Sequence, residues 1–110
     1  MPRYKFVVMT GPAEGREQEY NDWYQNVHLS DVVAIDGIKS AQRFRLNQAV
    51  MADQPPSPYL AIYDIETNDI DGTIEELKRR SQTGEMVISE ALSSVSFAVA
   101  YEELGPAVKA

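Results

Sequence analysis

The chain has 110 residues, 44% of them hydrophobic and 25% charged, an ordinary globular composition that fits one domain. Seventeen acidic residues against ten basic ones give a net charge of −7, which argues against a phosphate-backbone partner. There is no cysteine, so disulfides, thiolate metal sites and thiol catalysis are excluded.

The longest purely apolar run, Phe97 to Tyr101, is far short of the roughly 20 residues that span a bilayer. The opening Met1-Pro2-Arg3-Tyr4-Lys5 has no apolar signal core. The expectation is a cytoplasmic protein with neither nucleic acid nor membrane as partner. Residues 1–104 are expected to form a single domain and 105–110 a tail.

Tyr4 to Thr10 (YKFVVMT) is β-branched and aromatic and stops at Gly11-Pro12, which reads as a strand and a turn. From Gly15 to about His28 the period is helical, with Tyr20, Trp23, Tyr24, Val27 and His28 on one face. Ser30 to Ile35 reads as a last turn or a short separate helix, and Asp36-Gly37 as a turn. Ile38 to Leu46 (IKSAQRFRL) alternates as a strand does. Asn47 to Pro58 carries Pro55, Pro56 and Pro58 and reads as a loop, long enough to be a lid or an arm. Tyr59 to Glu66 is a strand. Ile70, Ile74, Leu77 and Arg80–Ser81 suit a helix closed near Gly84, with Val87 to Leu92 as a possible continuation. Ser94 to Tyr101 (SVSFAVAY) is the last strand.

The order β-α-β-β-α-β favours an α+β, ferredoxin-like sandwich: an antiparallel four-stranded sheet with two helices on one face. The strands show Tyr4, Phe6 and Val8 opposite Val7 and Met9, and Tyr59, Ala61, Tyr63 and Ile65 opposite Leu60 and Ile62. In the last strand, Val95, Phe97, Val99 and Tyr101 oppose Ser96, Ala98 and Ala100. Neither face is polar, and two helices cover only one, so a second copy is expected on the other.

His28 is the one side chain whose ordinary pKa lies near neutrality. It shares its helix face with Tyr20, Trp23 and Tyr24. That pattern describes a core histidine among packing aromatics, and equally a pocket wall of phenol and indole donors. Burial lowers such a pKa, while Asp31 or Asp36 would raise it; the balance is expected near neutral pH. Arg43 shares a strand face with Lys39, Ala41 and Arg45. They read as the charged guard of an edge strand, or as an anion or carbonyl contact at a pocket rim. The charges of Glu75 to Arg80 suit a solvated helix face. One histidine and no cysteine argue against a metal site, and no phosphate loop or nucleophile elbow is present.

The stretch Glu19 to Leu46, EYNDWYQNVHLSDVVAIDGIKSAQRFRL, resembles the EthD-like small proteins of the dimeric α+β barrel superfamily. The shared features are the Tyr-Asn-x-Trp-Tyr-x-x-x-His helix and the Ser-Ala-Gln-Arg-Phe strand. Ser30 and Asp36 stand where proline is frequent. The resemblance implies two four-stranded sheets back to back in a homodimer, with one cleft per subunit between sheet and helices. It also implies a small hydrophobic substrate and a range of activities that includes polyketide cyclases, lactone isomerases, cofactor-free monooxygenases, haem-binding enzymes and binding modules.

The expected function is a small cofactor-independent enzyme acting on a hydrophobic oxygenated molecule, such as an aromatic or polyketide-like ketone or a lactone. His28 and Tyr24 would be catalytic, in an isomerase, cyclase or lyase type of proton transfer. Tyr20, Trp23, Tyr63 and Arg43 would bind substrate, and no metal or other cofactor is expected. The alternatives are a dimeric ligand-binding protein without catalysis, a cofactor-free monooxygenase and, more distantly, haem binding through His28.

Overall fold

The structure, a computed structural model, describes residues 1–54 and 56–110, the side chains of Ser94 and Ser96 excepted. Pro55, one of the three loop prolines, therefore lies outside the described residues, as does the side on which Ser96 points.

The strands are β1 (Arg3–Pro12), β2 (Ile38–Arg45), β3 (Tyr59–Glu66) and β4 (Leu92–Glu102). They form one four-stranded sheet in the order β2-β3-β1-β4, every neighbouring pair antiparallel. Between β1 and β2 run α1 (Glu17–Trp23), a π-helical turn (Tyr24–His28) and α2 (Leu29–Val33), end to end. Helix α3 (Ile70–Thr83) connects β3 to β4. This is the expected βαββαβ ferredoxin-like arrangement.

Local chemistry explains the ends of α3. The Asp69 carboxylate accepts a hydrogen bond from the Gly72 N–H at 2.9 Å, a side-chain cap for an otherwise unpaired donor. Gly84 closes the helix at φ 83°, in the left-handed region that costs an L residue energy. The following segment does not continue helically. Residues 85–91 are irregular, and β4 begins at Leu92, two residues before the expected start.

The core lies between the sheet and the helices. Phe6, Val8 and Thr10 of β1 and Ala61, Tyr63 and Ile65 of β3 are buried against Tyr20, Trp23, Tyr24, Leu29 and Val32. The alternation holds in β1 and β3 because their register runs unbroken from Arg3↔Glu66 to Thr10↔Tyr59. In β4 it breaks: Met9 faces Phe97 but Thr10 faces Val95. This bulge adds one residue and moves Val95 to the helix side, whereas strict alternation had grouped it with Phe97 and Tyr101.

The other sheet face carries Val7, Met9, Phe44, Leu60, Ile62, Phe97 and Val99, placed together by the registers. No described element of the chain covers it. No helix among the described residues is long and apolar enough to cross a membrane.

Gly37 links α2 to β2 at φ 95°, and a Cβ there would come within 3.3 Å of the Thr73 hydroxyl. An L residue in this region costs about 1–2 kcal/mol. Gly37→Ala is therefore expected to lower Tm by on the order of 5–10 °C. Gly105→Ala, in open space, should leave it unchanged in the same calorimetric scan.

Candidate functional site

The site begins with a change of helical pitch. The Leu29 N–H bonds to the Tyr24 carbonyl, five residues back, instead of the usual four. The wider turn rotates the residues at its C-terminal end. Tyr20, Trp23 and Tyr24 face inward, as the regular period requires, but Val27 turns out to 40% exposure and Leu29 turns in. Val27 was expected on the inner face, and the extra residue in the turn is why it is not.

His28 ends this turn. Its ring stacks on Trp23 at 4.7 Å and 27°, and meets the Tyr24 ring edge-on at 4.9 Å and 89°. Trp23 is itself fixed by its indole N–H, which donates to the Val87 carbonyl at 3.0 Å. The imidazole is thus held on two sides. Its Nδ1 is buried and has no hydrogen-bond partner among the described residues, an arrangement that costs free energy in a folded chain.

Burial lowers the His28 pKa to about 4, and Asp31 opposes this only in part. The expected balance near neutrality is therefore corrected: aromatic neighbours remove more solvation from the imidazolium than one carboxylate restores. Asp36 plays no part and is exposed. The ring is neutral at physiological pH.

A cavity of about 550 Å³ opens beside this ring. His28, Tyr24 and Tyr63 line it, with Phe6, Val8 and Val32 as apolar walls. The Tyr24 and Tyr63 hydroxyls are 3.3 Å apart, and burial raises both phenol pKa values. Both stay protonated and can donate hydrogen bonds. The opposite wall is α3, which presents Ile74, Leu77, Lys78, Ser81 and Gln82 at helical spacing. Ala98 and Ala100 of β4 form the floor beside them. Lys78 and Gln82 are exposed, as are Ile88 and Val95, so the mouth lies on this side.

Of the sequence-predicted site residues, the structure brings His28, Tyr24 and Tyr63 to the cavity. Tyr20, Trp23 and Arg43 do not line it and stand behind those that do. Tyr20 is fully buried and its hydroxyl lies 2.5 Å from that of Thr10. Arg43 packs on the faces of Tyr24, Tyr20 and Tyr59, away from any pocket rim. The loop of residues 47–58, a possible lid by its length, contributes no described residue to the cavity lining. Among the described residues no cluster of three or more histidine, aspartate or glutamate side chains could hold a metal ion.

Sequence reasoning missed the α3 wall and the alanine floor. The signal was the stripe Ile74, Leu77, Lys78, Ser81 and Gln82, which turns polar toward one end. Two small residues on the helix side of an edge strand were the other sign, since they leave space unfilled.

No family model matches the chain, and no curated protein matches it in sequence. Solved structures do match it in fold, along nearly its whole length. HapK from Hahella chejuensis superposes with a TM-score of 0.57 at 16% identity, covering 100% of this chain and 99% of that one. The At3g17210 protein of Arabidopsis thaliana gives 0.61 at 10% identity, with 97% and 99% covered. An ethyl tert-butyl ether D (EthD) family protein from Bacillus halodurans C-125 gives 0.51 at 13% identity, with 94% and 100% covered. The chain shares the α+β fold of these three proteins, one of them of the EthD family. At these identities the likeness is one of fold.

The buried histidine gives a pH signature with a definite sign. Its folded pKa of about 4 lies below the ordinary 6.5. Above 6.5 the imidazole is neutral in both states and its burial carries no ionisation penalty. As pH falls toward 4, the unfolded chain takes up a proton that the folded chain refuses, so stability is lost in that window. Denaturant melts between pH 4 and 6.5 should show a shallower slope with pH for His28→Gln than for the wild type. Equal slopes would show that the ring is not held neutral.

Proposed function

We propose that the chain is a small enzyme that needs no cofactor and moves a proton on a hydrophobic, oxygenated molecule such as an aromatic ketone or a lactone. The carrying observation is a neutral, ring-stacked imidazole beside two protonated phenols in one apolar cavity. His28 takes the proton from a carbon or hydroxyl next to a carbonyl. Tyr24 and Tyr63 donate hydrogen bonds to the oxygen that becomes negative. The enolate that forms then favours the imidazolium beside it, raising the basicity of His28 at the moment it is needed. The proton can return at another position, which is isomerisation, or a leaving group can depart, which is a lyase step.

A second reading has its own support. A pKa of about 4 makes a weak base at neutral pH, where general bases work best with pKa values near the operating pH. The same cavity would then hold such a molecule without changing it.

Phenylacetone in deuterium oxide separates the two. An enzyme of this kind is expected to speed exchange of its α-protons, followed by proton NMR. His28→Gln should cut that acceleration by about 10²-fold or more, and Tyr63→Phe by about 10²-fold. Saturable binding with exchange no faster than in buffer would instead support the ligand carrier.

We also propose that the working unit is a two-fold dimer closed through the outer sheet face. Seven apolar side chains lie together there, and the charges on that face include two opposed pairs, Lys5 with Asp64 at 2.5 Å and Arg3 with Glu66 at 3.8 Å. A second copy of the same face would therefore meet apolar surface and charges that are paired within each copy. Sedimentation should give twice the 12.3 kDa of one chain. Ile62→Lys should yield monomer or insoluble protein; an unchanged dimer would place the interface elsewhere.

A further inference from the structure

Behind the cavity stands a cation that the proposed chemistry does not yet use. Arg43 projects from β2 to the helix side of the sheet, paired across the ladder with Ala61 and surrounded by tyrosines. The guanidinium carbon lies 4.7 Å from the Tyr24 ring centre and 5.4 Å from those of Tyr20 and Tyr59. Such contacts place positive charge on the negative face of each ring.

The charge is held in position without being neutralised. One guanidinium nitrogen donates to the Asn21 side-chain oxygen at 2.7 Å and another reaches the Asn21 carbonyl at 3.5 Å. Both acceptors are uncharged. A carboxylate at the edge of the cluster, Glu17, takes its hydrogen bond from the Tyr59 hydroxyl at 2.7 Å. Among the described residues Arg43 forms no salt bridge. Among the described residues of a chain with a net charge of −7, this guanidinium thus stands without an ion-pair partner, pressed against the ring of Tyr24, a residue that lines the cavity.

We propose that Arg43 is a positioning residue that acts through Tyr24, so that the cavity prefers a ligand carrying a negatively charged oxygen over a neutral one of the same shape. The guanidinium fixes the Tyr24 ring from behind, and its field favours negative charge at the hydroxyl pair in front of it. Its field also works against the rise that burial imposes on the Tyr24 and Tyr63 phenols. In a partly buried setting, unit charges ~10 Å apart interact by about a factor of ten in affinity.

The inference rests on the hydroxyl pair of the proposed site, and the test keeps the two apart. Pentafluorophenol, ionised at neutral pH, and the neutral, similarly shaped pentafluorotoluene are titrated against the whole protein and followed by fluorine NMR. The wild type is expected to bind the phenolate more tightly. Arg43→Met should weaken the phenolate by about tenfold and leave pentafluorotoluene within about twofold. Arg43→Lys, which keeps the charge, should retain part of the preference.

If Arg43→Met does not fold, Asn21→Ala, which frees the guanidinium, should give a smaller loss in the same direction. An equal loss for both probes in these variants would show that Arg43 only packs the tyrosines, and would overturn the proposal. So would a phenolate preference that survives in Arg43→Met, or one lost as fully in Arg43→Lys. A wild type that binds neither probe would remove the proposed site itself, and this inference with it.

Discussion

One backbone hydrogen bond sets the arrangement: the Leu29 N–H to the Tyr24 carbonyl. A regular helix would have bonded Leu29 one residue later, and Val27 would have stayed on the apolar face with Trp23 and Tyr24. The five-residue turn instead sends Val27 toward water and rotates Leu29 and Val32 into the core. His28 is left between the two faces, half-buried, with one side on Trp23 and an edge toward Tyr24. Such turns cost helix geometry and persist where the packing around them compensates. Here Trp23 bonded to Val87 and Leu29 packed in the core hold both ends.

The strand order and the helix identities were legible because each rests on a short-range rule. Alternation in β1 and β3 survives because their ladder has no break. The spacing of Ile70, Ile74 and Leu77 marks α3, and Gly84 marks its end. The features that escaped sequence reasoning depend on irregularity. A bulge that moves Val95 across the sheet leaves no composition signal, and nothing in Tyr24-Gln25-Asn26-Val27-His28 distinguishes a wide turn from a normal one. Site residues on the π-helical turn were visible as part of an aromatic stripe around a lone histidine. Which of them would face empty space depended on α3 and β4, which sequence periodicity treats as ordinary core partners.

The cavity arises from side-chain size and not from a special motif. β2 is covered closely by α2, whereas α3 stands farther from the sheet. The β4 residues beneath it are alanines, opposite Phe6 and Val8 in register. Two small side chains under a helix whose stripe becomes Lys78, Ser81 and Gln82 cannot fill that volume. An apolar core of this length normally closes on itself. The space here stays open because the small residues of β4 and the polar end of the α3 stripe leave it unfilled, and His28, Tyr24 and Tyr63 stand on its wall.

The electrostatics of the two layers differ in kind. In the cavity layer the histidine and the two tyrosines are held in their neutral forms by loss of water: the imidazole below its ordinary range, the two phenols above theirs. In the layer behind, the Arg43 guanidinium supplies a fixed cation on the tyrosine faces. A neutral lining over a fixed cation is best matched when negative charge appears on an oxygen within it. That asymmetry is what differential stabilisation of an anionic intermediate requires. The same asymmetry would serve a carrier for anionic ligands. The distinction between the two functions therefore falls on whether His28 exchanges a proton with the molecule beside it, and not on the shape or polarity of the cavity.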